Sequence, residues 1–282
     1  MNSTLTRRLA SGTSLAVAAI ALSACAPNYA SVEIRQLVVP QPNPQVPGAC
    51  FGSADPNAPK VLSSVLDLAL RDNYTAIALV QNNMFRNRSV DLNRPDTRSV
   101  FAQYVDVELT TSAGQALTLP GGAPALYRIN VRGDLIETAP GGLPGYGVLE
   151  MPVITATQGA ALRDRLGCTG FVAGTPPEPF CRNDSITVQV TLRPTFRTLG
   201  GDILTSERSS PWTNVRPYSF PLTVCCGCLL TIPAGYTPAC QPMSTMGTTM
   251  APTGGSCIVG QDFPTSCTTC AGQPQCQRTG CP

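Results

Sequence analysis

The sequence predicts an all-β protein: an antiparallel β-sandwich followed by a disulfide-rich, irregular C-terminal extension. Three observations carry this. From Val61 to Val224 apolar and polar residues alternate with period two, the pattern of strands with one face in a core. Clusters of Gly, Pro and Asn break the alternation at short intervals, where turns belong. After Ile232 aliphatic clusters give way to Thr, Pro, Gly and Cys, a composition that cross-links can order but hydrophobic burial cannot.

Candidate strands are 65–70, 75–81, 100–110, 126–131, 146–154, 185–193, 203–207 and 218–224. In the third, Phe101, Val105, Val107 and Leu109 fall on one face, opposite Tyr104, Asp106 and Glu108. In the sixth, Ile186, Val188, Val190 and Leu192 oppose Thr187, Gln189 and Thr191. Leu199-Gly200-Gly201-Asp202 offers two glycines to a tight hairpin. One stretch reads as a short amphipathic helix, capped by Thr157 and ended at Leu166 by Gly167. About eight strands over roughly 165 residues is the size of one sandwich, or of two small ones.

Ahead of this body the chain opens with Arg7 and Arg8 and an uncharged apolar run from Leu9 to Leu22. That order is the order of an export signal, and the run is shorter than the roughly 20 residues of a membrane-spanning helix. It ends in Leu22-Ser23-Ala24-Cys25, which resembles the bacterial lipobox. The resemblance implies that residues 1–24 are cleaved and that Cys25 carries lipid, and Ala26 in place of an aspartate implies the outer membrane. Each buried methylene of the acyl chains adds about 0.8 kcal/mol of membrane affinity. Residues 25–59, rich in proline, read as an extended tether, with 32–39 able to supply a terminal strand. The body is then 60–228 and the extension 229–282.

Cysteine parity agrees with export. Of 13 cysteines, Cys25 is assigned to lipid, which leaves twelve, enough for six disulfides in an oxidising compartment. Nine of them, Cys225, Cys226, Cys228, Cys240, Cys257, Cys267, Cys270, Cys276 and Cys281, lie in the last 58 residues. Only Cys50, Cys168 and Cys181 lie earlier, so full oxidation requires one or three bridges between tail and body. If one crosses, Cys168 pairs with Cys181 across a loop of 12 residues. Cys50 is then the crossing residue, with its partner expected among Cys225, Cys226 and Cys228.

The chemistry is limited. No histidine is present, which removes Ser-His-Asp and Cys-His sites and the histidine-based zinc motifs. Without Arg7 and Arg8 the chain has 17 basic and 17 acidic side chains, so no charge excess points to nucleic acid. Asp106 and Glu108 share a strand face, as a carboxylate-pair hydrolase would need, although acids there are most simply solvated. Cys267-Thr268-Thr269-Cys270 has redox-pair spacing without the strand-to-helix context, and structural bridging is expected. A thiol-only zinc site from Cys225, Cys226 or Cys228 with Cys267 and Cys270 is disfavoured by oxidation. Asp91-Leu92-Asn93-Arg94-Pro95-Asp96 reads as an Asx-rich turn rather than a calcium loop, Arg132-Gly133-Asp134 as a strand turn rather than an adhesion tripeptide, and Gly145-Tyr146-Gly147 is no phosphate loop. No catalytic residue, metal or cofactor is expected.

Taken with Cys257-Ile258-Val259-Gly260-Gln261-Asp262 and Cys267, the lipobox, tether, β body and Cys-rich end resemble surface lipoproteins of GC-rich Gram-negative bacteria. That likeness of architecture carries no activity. The strand leading into Gln81-Asn82-Asn83, with the next alternating strand, is similar to immunoglobulin-like sandwiches. Two functions follow. One is a non-enzymatic, lipid-anchored envelope protein that binds or scaffolds an envelope protein or glycan. The other is a small-ligand or carbohydrate-binding lipoprotein, or a carboxylate-dependent hydrolase, using Tyr104, Tyr127, Tyr146 or Trp212. A pocket with convergent carboxylates favours the second; a closed sandwich favours the first.

Overall fold

The computed structural model describes residues 30–43, 45–46, 50–84, 97–138, 143–168, 185–206, 215–231, 257–258 and 260–266. Met1–Ala30 and Ser31–Pro282 form separate units, and every element below belongs to the second. Its first strands are β1 (Val32–Leu37), β2 (Gln41–Pro42), β3 (Cys50–Phe51), β4 (Ser64–Asp67) and β5 (Tyr74–Asn82). There follow β6 (Val100–Thr111), β7 (Leu126–Asn130), β8 (Arg132–Gly133), β9 (Gly145–Ile154) and the helix α1 (Ala156–Leu166). The chain continues through β10 (Ser185–Thr198), β11 (Ile203–Thr205), β12 (Val215–Arg216), β13 (Tyr218–Cys225), β14 (Leu230–Thr231) and β15 (Thr265–Ser266). The described residues are therefore mostly strand, as the alternation predicts, and each of the eight candidate strands is present.

Two sheets dominate. One runs β12-β1-β5-β9-β8, the other β4-β13-β10-β6-β7 with β11 also on β10. Both feed one buried cluster. Val32, Ala76, Ala78, Val80, Leu149 and Met151 enter it from the first sheet, and Val105, Val107, Leu109, Val190, Leu192 and Leu222 from the second. The period-two alternation is the local cause, since it gives each strand one apolar face to bury. The centre of the first sheet is an exception. On β5 the odd residues Ile77 and Leu79 are buried as well, in a smaller cluster with Val38, against which Ala58, Tyr146 and Val148 pack. A strand flanked on both sides and covered on both faces needs no polar face.

Five details differ from expectation. Most pairs are antiparallel, but β1–β12, β4–β13 and β14–β15 are parallel; partners separated by long stretches of chain leave orientation free of any hairpin constraint. Phe101 does not share a face with Val105. The register between β6 and β10 skips Gln103, pairing Tyr104 with Thr195 but Ala102 with Phe196, and such a bulge exchanges inward and outward positions. Val100 is consequently buried while Phe101 is 36% exposed.

The sixth strand runs past the expected break at Pro194. There β13 has ended opposite Leu192 and β11 starts opposite Thr195, so one edge of β10 has no partner and a residue without an N–H is tolerated. Residues 32–37, placed within the 25–59 tether but read as able to supply a terminal strand, form β1 inside the first sheet rather than a free tether, with Val32, Ile34 and Leu37 buried. The helix begins two residues earlier than expected and is flanked by Thr155 rather than capped by Thr157; it ends as expected at Gly167, whose φ of 61° suits glycine.

The bulge makes a quantitative prediction. Leu109→Ala, on the fully buried side, should lower stability by about 2–5 kcal/mol, while Phe101→Ala should cost under about 1 kcal/mol despite the larger deletion. Denaturant midpoints of the two variants check this, and equal losses would contradict the register.

Candidate functional site

The outer face of the first sheet carries a cleft. Its volume is about 400 Å³, within the range of small-ligand sites. Ile77 of β5 and Val148 of β9 form an apolar floor, Cys50, Phe51 and Gly52 one wall, and Gly133, Asp134 and Glu150 the other side. Strand register explains the convergence: Glu150 lies opposite Ile77 on one side and Arg132 on the other, so its side chain shares the face of the floor. Asp134 and Glu150 are exposed, and Phe51 is 39% exposed. The cleft thus offers two carboxylates and a partly exposed aromatic side chain around an aliphatic base.

The wall is held from the far end of the chain. Cys50 is disulfide-bonded to Cys257, and three residues later Gly260-Gln261-Asp262 docks beside β4 and β5. Gly260 has φ +79°, and a Cβ there would lie 2.6 Å from Leu70 Cβ, so only glycine fits. Asp67 N–H donates to the Gly260 carbonyl (2.9 Å), and Asp262 N–H to the Val65 carbonyl (2.9 Å). The Gln261 amide bonds both ways to the Thr75 backbone, accepting from its N–H (3.0 Å) and donating to its carbonyl (2.7 Å). The Asp262 carboxyl accepts from Val65 N–H (3.1 Å) and from the buried Tyr74 hydroxyl (2.9 Å).

Burial raises the Asp262 carboxyl above the usual carboxylate range, against the opposing pull of Val65 N–H, the Tyr74 hydroxyl, the Gln261 amide and the charge of Arg71. Burial, followed by the Asp262 charge, pushes the Tyr74 phenol well above its ordinary value.

A second buried carboxylate organises the end of β13. Asp67, fully buried, accepts from the backbone N–H of Ala69 (3.0 Å), Gly227 (2.6 Å) and Leu229 (2.8 Å). These bonds clamp the loop that carries Cys225, Cys226 and Cys228. Cys225 is bonded to Cys228, and Cys226 to Cys168. The Asp67 oxygen and the sulfurs of Cys225 and Cys228 lie within 4.8 Å of one another.

The three bridges differ in what they constrain. They span sequence separations of 207, 58 and 3 residues for Cys50–Cys257, Cys168–Cys226 and Cys225–Cys228. In the chain-entropy account these correspond to about 5, 4 and 2 kcal/mol.

Cys50 crosses to the tail as expected, but its partner is Cys257 and not Cys225, Cys226 or Cys228, and it is not the single crossing residue, since Cys168 crosses too. The expected Cys168–Cys181 bridge is overturned by Cys168–Cys226: the ends of α1 and β13 meet in space, which loop length alone does not reveal. Cys25, Cys181, Cys240, Cys267, Cys270, Cys276 and Cys281 lie outside the described residues, as do 91–96 and Trp212.

The paired acids of β6 are engaged in ion pairs, Asp106 with Arg128 (2.8 Å) and Glu108 with Arg193 (3.2 Å). Arg128 also lies over the Tyr104 ring, 3.7 Å from its centroid. The Tyr127 hydroxyl donates to the Val153 carbonyl, and burial raises its phenol strongly. Neither Tyr104 nor Tyr127 lines the cleft, and Tyr146 packs against the neighbouring cluster.

Phe51, Asp134, Glu150, Asp67, Gln261 and Asp262 were not foreseen as site residues. Asp67 had no legible signal, because between Leu66 and Leu68 the alternation places it on the opposite, outward face. Cys225-Cys226-Gly227-Cys228 had one, the same spacing as Cys267 to Cys270.

No protein-family model, no curated protein and no solved structure matches the chain.

Two predictions follow from this geometry. A carboxyl that titrates higher folded than unfolded contributes stability that is full below its unfolded value and lost as pH rises through its folded value. The stability of the protein relative to Asp262→Asn should therefore grow on acidification from neutral pH towards the carboxylate range, measured by urea midpoints; a difference independent of pH would remove the assignment. The second concerns parity: with three bridges placed, and Cys25 set aside for lipid as the lipobox resemblance implies, Cys181 is the one early cysteine left against five in the tail. Complete oxidation of the twelve then links Cys181 to Cys240, Cys267, Cys270, Cys276 or Cys281, and non-reducing peptide mapping should find that cross-link.

Proposed function

We propose that the protein is a non-enzymatic, lipid-anchored binding module of the cell envelope, an immunoglobulin-like sandwich that takes a small polyhydroxylated ligand, a saccharide unit, into the cleft beside β3. The cleft is the observation that carries this reading. Its floor of Ile77 and Val148 and the exposed ring of Phe51 suit the apolar face of a sugar ring, and Asp134 and Glu150 suit its hydroxyls as acceptors. Binding rather than hydrolysis is favoured because both carboxylates are exposed, whereas a general acid is usually set apart by a desolvated environment.

Anchorage through Cys25 at the outer membrane rests on the lipobox resemblance, and supports a role in holding a glycan or glycan-bearing partner near the membrane. The two sheets around one core support the sandwich.

Calorimetric titration of the mature protein with neutral and amino oligosaccharides tests the cleft. Binding should weaken at least about tenfold, or 1.4 kcal/mol, in Phe51→Ala and in the Asp134→Asn, Glu150→Gln double variant, with denaturant midpoints unchanged. Undiminished affinity in all variants would move the site elsewhere, and no saccharide binding would end the reading. Anchorage has its own test: Cys25→Ser should lose lipid labelling and leave the membrane fraction.

A further inference from the structure

The Cys225–Cys228 bridge differs from its neighbours in three respects. It closes only a four-residue loop, so it restrains the unfolded chain least. Its two sulfurs stand in different environments, Cys228 being exposed and Cys225 only 2% exposed. The loop around it is independently fixed: Gly227 and Leu229 N–H are held by Asp67, and Cys226, between the two, is tied to Cys168. Opening this bridge therefore leaves the backbone in place and the two sulfurs close together, the condition for rapid reclosure. The Cys50–Cys257 and Cys168–Cys226 bridges each join segments far apart in sequence, so opening either frees those segments from one another.

We propose that Cys225 and Cys228 form a redox-active pair that exchanges with an external dithiol, through attack at Cys228 Sγ. A thiolate of the dithiol attacks Cys228 Sγ and forms a mixed disulfide. The Cys225–Cys228 bond breaks, and Cys225 leaves with the electron pair and takes up a proton. The second thiol of the dithiol then attacks its own bonded sulfur, releasing Cys228. The dithiol is oxidised to a disulfide, the pair is reduced to two thiols, and two electrons and two protons have passed between them.

In the return reaction Cys228 is the nucleophile. It faces solvent, whereas Cys225 is only 2% exposed; the Asp67 oxygen lies within 4.8 Å of both sulfurs and does not distinguish them. Exposure and thiolate access are what separate exchanging bridges from inert ones.

The experiment is a titration of the folded mature protein with dithiothreitol, a small dithiol, followed by iodoacetamide and peptide mapping. Label should enter Cys225 and Cys228 while Cys50–Cys257 and Cys168–Cys226 stay closed and the circular dichroism is unchanged. Removal of dithiothreitol under mild oxidant should restore the bridge. In the single variants, Cys225→Ser should form a mixed disulfide with oxidised glutathione through Cys228 at least tenfold faster than Cys228→Ser does through Cys225. Opening of Cys225–Cys228 only together with the other bridges, or only with loss of structure, overturns the proposal. So do equal rates in the two variants. If neither variant folds, the titration of the unaltered protein decides alone.

Discussion

A strand buried on both faces has to be covered twice, and β5 imposes that requirement on the whole chain. Its even residues Ala76, Ala78 and Val80 are covered by the second sheet, which supplies most of the core. Its odd residues Ile77 and Leu79 need a separate cover, to which Val38 and the partly buried Ala58 contribute, with Tyr146 and Val148 of β9 beside them in the sheet. This cover is built from short strands and an irregular segment, and it does not close over Ile77 and Val148 completely. The cleft is the gap that remains. Its apolar floor is thus a consequence of where β5 sits in the sheet, while its polar rim comes from β9 and the residue that follows β8.

An irregular cover has few backbone hydrogen bonds of its own, so it must be secured from outside. Cys257 secures β3 by a covalent bond, and Gly260 to Asp262 secure the tail by hydrogen bonds to β4 and β5. The tail has few aliphatic residues to dock by burial, and at Gln261 and Asp262 it uses polar side chains on backbone groups. Asp67 repeats the device at the other end of β4, where its carboxylate holds a cysteine-bearing loop through three N–H groups.

Local order was legible in the sequence because a half-buried strand writes its environment into every second residue. All eight candidate strands are found, with ends that differ by a few residues. Long-range order was not. The skip at Gln103 leaves no mark in β6 alone, since it is defined only by the partner strand, and it misassigned Phe101. The parallel partners of β1 and β4 lie far along the chain, and so does the partner of Cys50. The site was concealed for a related reason. Phe51 stood in a proline-rich stretch, Asp134 in a turn and Glu150 at an outward position of β9, and each is unremarkable until the sheet brings them to one place. Cys225 and Cys228 had a recognisable spacing, but spacing does not say which sulfur meets solvent.

The Gln261 side chain occupies a position that a neighbouring strand would otherwise take. The pairing of β1 with β5 runs out at Ala78, and the backbone of Thr75 beyond it is met by a side-chain amide with one donor and one acceptor. An open strand edge is a template for another chain, and Gln261 closes this one without extending the sheet. Gln261 comes from the Cys-rich extension, so the cover of this edge is held by a bond made far from it: a chain clipped between Cys228 and Cys257 still keeps Gln261 attached to β3 through Cys50.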